Sequence, residues 1–271
     1  MSDTKLAIVT GASSGIGLEL ARLAAQDGYD LIAVADTPLI DASAQLKQLG
    51  VEVRSVEADL SSFEGVDRLL DAAGGRPIDL LFANAGHGLG RAFLDQDPAE
   101  WRHVIDTNVT GTVYLVQKVA RAMVARGEGR ILITGSIAGH IAGAFQAVYN
   151  GTKAFIDSFS DALGNELKDS GVTVTCLKPG ATDTEFFERA EMEDTKVGVS
   201  KKDDPADVAK TGYKAMMKGE RSVVHGLKNK LQVDVAKALG GGASAAMHRS
   251  MAEPGSAEKV PNFMRDEEHK R

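Results

Sequence analysis

The sequence is poor in the residues that mark secreted, metal-binding and membrane-spanning proteins. It has one cysteine, Cys176, among 271 residues, so no disulfide can form within the chain, and we expect a reducing, cytoplasmic location. The six histidines show no metal-ligand spacing, so we expect no metal. No apolar run reaches the ~18 residues that a membrane span needs. Residues 1–5 lack the basic and apolar regions of a signal peptide.

Positive charge is also scarce. Lys and Arg number 31 against 38 Asp and Glu, and the formal net charge is −7. An acidic surface disfavours nucleic acid and anionic membranes as main partners. The remaining composition, 43% apolar and 25% charged, is that of an ordinary globular protein with a well-buried core.

Short apolar runs alternate with helical segments along the chain. The runs predict strands at 5–10, 31–35, 51–56, 78–83, 130–134, 172–177 and 221–224. Helical spacing predicts helices from Ile16 to Ala24, at 42–49, and at about 61–73, 98–126, 146–169 and 204–218. Pro38 stands before the apolar positions of the second helix and is expected at its first helical position. Continuous apolar strands separated by helices are typical of a parallel sheet covered on both faces. We therefore predict an α/β fold with a doubly wound, Rossmann-type sheet of about seven strands.

The chain shows no internal repeat and no linker before about residue 225, so we expect a single domain over 1–225. The composition changes after Gly226. A spacing of four residues then carries Leu227, Leu231, Val235 and Leu239, until three glycines at 240–242 interrupt it. The charged residues 265–271 are expected to be disordered. Residues 226–271 therefore form a C-terminal extension that is expected to be partly helical.

A glycine-rich turn follows the first predicted strand. Gly11, Gly15 and Gly17 allow the backbone to turn sharply and to approach a pyrophosphate at the N-terminus of the next helix. The spacing differs from the commoner G-x-G-x-x-G, and a glycine-rich turn can be purely structural. Its place between a strand and a helix favours dinucleotide binding. Ser13 and Ser14 add hydroxyl groups for phosphate or ribose.

Asp36 ends the second predicted strand. A carboxylate there accepts hydrogen bonds from the adenosine ribose and repels a 2′-phosphate. Ser14 is not basic, and Thr37 stands where an arginine would favour NADP, so we predict NAD as the cofactor. The alternative is that Asp36 caps the helix that Pro38 opens. Asp59, after the third strand, is expected near the adenine amino group, and residues 84–86 are expected to pass under the adenosine and its ribose.

Four polar residues form the candidate catalytic group. Tyr149 and Lys153 lie one turn apart on one face of a predicted helix. Ser136 follows the fifth strand, where a hydroxyl can bind a substrate oxygen, and Asn108 is a polar exception inside a helix. An ammonium beside a phenol favours the phenolate, which the ordinary pKa near 10 otherwise disfavours. Each residue also has a structural explanation, as a surface pair, a helix cap or a helix bend.

The combined motifs resemble the short-chain dehydrogenase/reductase family in its ordinary single-domain form. They are T-G-A-S-S-G-I-G at 10–17, the pair Asp59 and Leu60, N-A-G at 84–86, Asn108, G-S-I-A-G at 135–139, Y-N-G-T-K at 149–153 and P-G-A-T-D-T at 179–184. The resemblance spans about 5–225. Ala83 and Gly135 depart from the usual residues, and neither change removes a chemical group.

The resemblance implies a role for each matching residue. Tyr149 would be the acid/base, Ser136 would orient the substrate oxygen, and Lys153 would lower the pKa of Tyr149 and bind the nicotinamide ribose. Asn108 would hold a water in a proton relay. The cofactor-binding residues would be Gly11, Ser13, Ser14, Gly15, Ile16, Gly17, Asp36, Asp59, Leu60, Asn84, Ala85, Gly86, Tyr149, Lys153, Pro179, Gly180, Thr182 and Thr184.

The family also implies a substrate lid, which falls at 181–202. The residues expected to face the substrate are His87, His140, Phe145, Gln146, Phe186 and Phe187. No arginine or lysine marks a site for an anionic substrate, so we expect an uncharged secondary alcohol or ketone. Small or apolar outer residues on the helices at 98–126 and 146–169, together with the resemblance, predict a homotetramer or a homodimer. They are Ala120, Ala154, Phe155, Phe159 and Ala162.

A catalytically idle protein of the same fold is the second hypothesis. Such a protein would bind NAD as a redox sensor or a scaffold. Idle relatives usually lose the tyrosine or the lysine, and here Tyr149 and Lys153 are both present. The sequence therefore favours an oxidoreductase.

Overall fold

The fold is a parallel seven-stranded sheet in a computed structural model that describes residues 4–261. The strands are β1 (Leu6–Thr10), β2 (Asp30–Ala35), β3 (Val53–Glu57), β4 (Leu80–Ala83), β5 (Gly129–Thr134), β6 (Val172–Lys178) and β7 (Ser222–Val224). Their order is β3-β2-β1-β4-β5-β6-β7, and all neighbours are parallel. The predicted doubly wound α/β fold is confirmed. The charged segment 265–271, predicted to be disordered, lies outside the described residues.

Helices cover both faces of the sheet. They are α1 (Gly15–Gln26), α2 (Ile40–Lys47), α3 (Phe63–Asp71), α4 (Pro98–Ile105), α5 (Thr112–Arg126), α6 (Ala147–Glu166), α7 (Phe186–Arg189), α8 (Lys196–Val199), α9 (Pro205–Met217) and α10 (Leu227–Ala252). Short 3₁₀ turns occupy Phe93–Asp95, Ile137–His140 and Ser256–Lys259. Helix α9 begins as the sequence predicts, because the Asp204 side chain accepts a hydrogen bond from Ala206 N and Pro205 occupies the first turn.

Strand alternation divides the apolar residues between two cores. In β1, Ile8 packs with α3, α5 and α6 on one face, and Val9 packs with α1, α2 and α9 on the other. Successive side chains of a strand point to opposite faces, so a strand buried on both sides reads as a continuous apolar run. All five residues of β1 are buried.

The connection between β1 and β4 positions the functional site. The chain winds from β1 to β2 and β3 on one side and from β4 onward on the other. The loops that leave β1 and β4 therefore diverge and open a crevice at the carboxyl ends of the strands, where sheets of this kind bind ligands.

Two helix boundaries differ from the sequence prediction. The predicted helix 98–126 is interrupted by a π-helical turn, Asp106–Gly111. Gly111 packs so closely that a Cβ there would overlap the Leu60 carbonyl oxygen. Pro38 is not the first helical residue, because Leu39 is buried at the N-cap and α2 begins at Ile40. Asp36 makes no cap for this helix.

The tail helix α10 packs with an unexpected face. Leu227, Leu231, Val235 and Leu239 are exposed, whereas Asn229, Val233, Ala236, Ser244, His248 and Ala252 are buried. Gly240 adopts a φ of 71° and interrupts the helix, as the glycines predicted. Helix α10 contacts the 137–140 turn and α8, and residues from both of its halves line the crevice, so the tail forms one wall of it. None of the helices within residues 4–261 is long and apolar enough to cross a membrane.

Candidate active site

A cleft of about 340 Å³ lies at the carboxyl ends of the strands. Among the residues that line it are all those predicted to bind the cofactor, namely Gly11, Ser13, Ser14, Gly15, Ile16, Gly17, Asp36, Asp59, Leu60, Asn84, Ala85, Gly86, Tyr149, Lys153, Pro179, Gly180, Thr182 and Thr184. Ser136, His87, Gln146, Phe186 and Phe187 also line it. Three predicted site residues do not, namely Asn108, His140 and Phe145.

The glycine turn is held by close backbone packing. Gly11 and Gly15 have φ values of 65° and 55°, which favour glycine. A Cβ on Gly17 would overlap the Gly11 carbonyl oxygen. Thr10 ties this turn to the next loop, since its hydroxyl accepts hydrogen bonds from Asn84 N at 2.9 Å and Ala85 N at 2.8 Å. The turn is therefore shaped in advance of any ligand.

The N-terminus of α1 is suited to an anion. Its N-cap residue, Ser14, makes no side-chain hydrogen bond to the helix, and the first turn carries no acidic residue. The first backbone N–H groups of a helix have no partner within the helix and carry a partial positive charge. They are available to a phosphate in the cleft.

Asp36 is hydrogen-bonded to His87 across the cleft. Its Oδ2 atom lies 3.1 Å from His87 Nε2. The hydrogen bond to His87 lowers the pKa of Asp36 below its usual range, against the opposing effect of burial. His87 was predicted to face the substrate, and the structure instead places its ring at the carboxylate predicted to bind the adenosine ribose.

The catalytic candidates converge on the floor of the cleft. Helix α6 carries Tyr149 and Lys153, and Ser136 follows β5; all three are buried. Lys153 Nζ donates a hydrogen bond to the Thr134 carbonyl oxygen at 2.8 Å. The Phe186 ring lies 5.2 Å from the Tyr149 ring, so the phenol faces an apolar lid.

Burial controls the protonation of this pair. Desolvation raises the pKa of Tyr149 to about 12, and a hydrogen bond with Ser136 acts in the opposite direction. Desolvation also lowers the pKa of Lys153 to about 8. Burial disfavours the phenolate, so the pKa of Tyr149 is raised although Lys153 lies beside it. The lowering of this pKa by Lys153 stays a prediction. Tyr149 is a neutral hydroxyl near pH 7.

Asn108 holds the backbone beside the cleft. Its Oδ1 accepts a hydrogen bond from His87 N at 2.8 Å, and its Nδ2 donates to His87 O at 2.9 Å and to Thr152 Oγ1 at 3.0 Å. These bonds engage both ends of the carboxamide. Asn108 therefore links the loop after β4 to the catalytic helix, and the π-helical turn presents its side chain to both.

A buried carboxylate that the sequence did not single out lies behind Ser136. Asp157, one turn beyond Lys153, accepts a hydrogen bond from Ser136 N at 3.4 Å and lies 3.7 Å from Lys178 Nζ. Burial raises its pKa. His140 Nε2 is 3.5 Å from this carboxylate, and His140 does not line the cleft. A Cβ on Gly135 would overlap Asp157 Oδ1, which accounts for the glycine where the resemblance favours serine.

Phe145 supports the substrate side of the cleft from behind. It packs beside the cluster formed by Phe187, Ala190, Met192 and Ala252. Arg249 lies 5.2 Å from its ring. Its φ of 63° turns the loop before α6. Phe145 does not line the cleft, since its ring belongs to the wall that joins the lid to the tail; its contact with substrate stays a prediction.

The lid and the tail contribute residues that the sequence analysis missed. They are Arg189, Lys201, Lys228, Asn229, Gln232, His248 and Met251. Three of them are cations, Arg189, Lys201 and Lys228, which the sequence analysis did not place in the cleft. The available signal was the spacing of Asn229, Val233 and Ala236, which is helical but weaker than that of the exposed leucines. No group of three possible metal ligands occurs among residues 4–261.

The family described as short chain dehydrogenase matches residues 5–195. An uncharacterized oxidoreductase of Staphylococcus aureus (strain MW2) is 33% identical over 211 residues, which are 76% of this chain and 87% of that protein. A putative ketoacyl reductase of Streptomyces coelicolor is 35% identical over 188 residues, which are 67% of this chain and 72% of that protein.

Solved structures agree with these matches. A short-chain dehydrogenase/reductase of Burkholderia phymatum, in complex with NAD, has a TM-score of 0.76 at 25% identity and covers 86% of this chain and 92% of its own. A short-chain dehydrogenase of Sphingobium yanoikuyae, in complex with NADPH, has a TM-score of 0.75 at 28% identity and covers 86% and 94%. Family match, sheet order and cleft agree, and the chain belongs to the short-chain dehydrogenase/reductase family of oxidoreductases.

Proposed function

We propose that this protein transfers a hydride between NAD(H) and an uncharged secondary alcohol or ketone, with Tyr149 as the acid/base. The observation that carries the proposal is that Tyr149 and Ser136 line the cleft together, with Lys153 buried beside the Tyr149 ring. A neutral phenol next to a hydroxyl and an ammonium is suited to protonating a carbonyl oxygen.

The residues present fit a nicotinamide dinucleotide. The uncapped N-terminus of α1 would hold the pyrophosphate, and Asp36 would accept hydrogen bonds from the adenosine ribose. A Cβ on Gly180 would overlap the Asn229 side chain. The 179–184 segment therefore packs closely against α10, and the two together form a thin wall of the cleft. When bound, the nicotinamide supplies or accepts the hydride.

The protein's own groups handle the proton. In reduction, Ser136 would donate a hydrogen bond to the carbonyl oxygen, and Tyr149 would transfer its hydroxyl proton to that oxygen as the alcohol forms. The phenolate left behind would be stabilised by the Lys153 ammonium. The raised pKa of Tyr149 keeps the hydroxyl protonated before the reaction, and oxidation would reverse each step. Asn108, whose carboxamide is engaged, would serve by positioning the loop and helix around Lys153.

The cleft favours a substrate without net charge. Its ionisable lining contains four carboxylates, Asp36, Asp59, Glu185 and Asp203, and four cations, Lys153, Arg189, Lys201 and Lys228. Arg189 is paired with Glu185 at 2.6 Å. The similar ketoacyl reductase of Streptomyces coelicolor favours a ketone. We further propose one catalytic domain over 1–225, with the lid at 181–202 and the extension 226–271 completing the wall. The cytoplasmic location stays a prediction.

Replacing Tyr149 by phenylalanine removes only the proton donor. A positioned acid/base contributes about 10²–10⁴-fold, so we expect Tyr149→Phe to lower kcat by at least ~100-fold while NAD binding changes little. The measurement is NADH oxidation with a panel of ketones, beside NADH titration. Tyr114→Phe is the matched control, since Tyr114 bonds Asp67 outside the cleft. Wild-type turnover retained in Tyr149→Phe would contradict the assignment. NAD binding without turnover in the wild type would favour the idle sensor or scaffold.

The cofactor preference rests on the charge at the end of β2. Asp36 would repel a 2′-phosphate, and Thr37 donates its hydroxyl hydrogen bond to Ser13 at 3.1 Å, so neither offers a cation. The relatives bind either cofactor, since one solved structure holds NAD and the other NADPH. We therefore expect kcat/KM to favour NAD over NADP.

Replacing both residues should shift the preference toward NADP. Asp36→Ala with Thr37→Arg removes the repulsion and adds a phosphate partner, so the NAD/NADP ratio of kcat/KM should fall by at least ~10-fold, or ~1.4 kcal/mol. Asp41→Ala, which removes an exposed acid of the next helix, should leave the ratio unchanged. A wild-type enzyme that favours NADP tenfold would overturn the proposal.

We also propose that the protein forms a homotetramer or a homodimer through α6. Phe155 is 47% exposed and stacks on Phe159, and Ala154 and Ala162 are exposed beside them. Ala120 was expected to belong to this surface, and it is instead buried in the core. An apolar strip on a helix of this kind is typical of an interface.

A charge in this strip should separate the subunits. Phe155→Glu would bury a carboxylate in the contact, so light scattering at micromolar concentration should show a monomer near 28.6 kDa, whereas the wild type is larger. Leu231→Glu, at a more exposed apolar residue of α10, should keep the wild-type mass. A monomeric wild type would refute the association.

A further inference from the structure

The second half of α10 forms the substrate end of the cleft. His248 and Met251 line it beside the lid residues Phe186 and Phe187. The same half of the helix is fixed to the loop before α6, because Ala142 N donates a hydrogen bond to Ser244 Oγ at 3.3 Å. The tail is therefore part of the site, and its polar side chains are candidates for contact with the substrate.

The tautomer of His248 follows from one hydrogen bond. Its Nδ1 atom lies 2.8 Å from the Ala144 carbonyl oxygen. A carbonyl oxygen only accepts, so Nδ1 must carry the hydrogen. Burial lowers the pKa of His248 and keeps the ring neutral. The other nitrogen, Nε2, then has no hydrogen and presents an acceptor lone pair.

Nothing within residues 4–261 donates a hydrogen bond to Nε2 of His248. Nε2 has no partner among these residues and is not fully buried. It therefore contributes to the small exposed fraction of this residue, 9%. His248 lines the cleft, and an acceptor in that position is open to a ligand.

The surroundings make this acceptor selective. On this side the cleft is lined mainly by apolar residues, namely Ile137, Ala138, Ile141, Phe186, Phe187, Val197 and Met251. Gln146, two residues after Ala144 in the chain, is a polar residue that also lines the cleft. A polar group that enters an apolar pocket loses its water, so it gains most where a partner awaits it. An imidazole nitrogen without a hydrogen is an acceptor, so the ligand group that it binds must be a hydrogen-bond donor.

We propose that Nε2 of His248 accepts a hydrogen bond from a hydroxyl or amide N–H of the substrate, which makes the substrate a ketone, or its alcohol, that carries a donor group away from the reacting carbon. This inference rests on the proposed oxidoreductase function. It narrows the substrate from any uncharged ketone to one with a second, donating polar group.

The tautomer is tested without turnover. Long-range ¹H–¹⁵N correlation spectra of the uniformly labelled full-length protein report which nitrogen of each histidine carries the hydrogen, and His248→Asn identifies the resonance. We expect the Nδ1–H tautomer with a bare Nε2 near pH 7. An Nε2–H tautomer would overturn the inference whether or not the protein is an active reductase.

The donor is tested with matched substrates. The probes are aryl alkyl ketones with one hydroxyl at increasing distance from the carbonyl, each paired with its methyl ether. For the best pair, the wild type should favour the hydroxyl compound by at least ~10-fold in kcat/KM. A wild type that reduces these ketones with no hydroxyl preference at any distance would overturn the inference and leave the proposed function intact. Reduction of none of them would count against the proposed function, and the tautomer would then decide the inference.

Two substitutions separate contact from support. In His248→Asn the amide reaches the place of Nδ1, so it keeps a donor for Ala144 and removes the acceptor; the preference should fall toward unity. In His248→Gln the amide reaches the place of Nε2, so it should retain more of the preference. A preference that is kept in His248→Asn and lost in His248→Gln would assign His248 to loop support, and that result or equal losses in both variants would overturn the inference. His225→Asn, outside the cleft, is the control that should keep the wild-type ratio.

Discussion

The arrangement of the site depends on polar side chains that one helix buries against the end of the sheet. Helix α6 places Lys153 and Asp157 on its inner face, next to the carboxyl end of β5. Burying such groups is unfavourable unless partners replace the lost water. The Thr134 carbonyl oxygen holds the lysine, and Lys178 and the Ser136 backbone hold the aspartate. These partners lie on β5, on β6 or in the loop after β5, so they fix the inner face of the helix against the end of the sheet. The Asp157 Oδ2 atom is buried without a hydrogen bond to the described residues and relies on the nearby charge of Lys178.

That position brings the reacting groups together. Tyr149 is carried on the same helix, and Ser136 is held by its backbone contact to Asp157. On the other side of the cleft, Thr10 joins the glycine turn to the loop after β4, and Asn108 joins that loop to α6. Buried and partly buried hydrogen bonds thus link the proposed pyrophosphate site, through the loop after β4, to the helix that carries the proposed proton donor. Since these bonds lie within the fold, the cleft is preorganised for its ligand.

Much of the fold and of the candidate site could be predicted, because the signals for them are local in the sequence. The continuous apolar runs indicated buried parallel strands, and the glycine turn, Tyr149 and Lys153 all proved to line one cleft. The misses depend on contacts between distant segments. His140 and Phe145 flank the motifs, but Asp157 and the tail cluster decide where their rings point. The buried face of α10 is marked by Asn229 and His248, which no periodicity rule favours over the exposed leucines.

The central claim is that burial keeps Tyr149 a neutral proton donor in the free enzyme. The direct measurement is an NMR titration of the protein labelled with ¹³C at the tyrosine ring carbon that bears the oxygen. The chain has four tyrosines, and Tyr149→Phe identifies the resonance. We predict that Tyr149 stays protonated beyond pH 10, toward its raised pKa of about 12. A titration midpoint below 10, the ordinary value for tyrosine, would contradict the account.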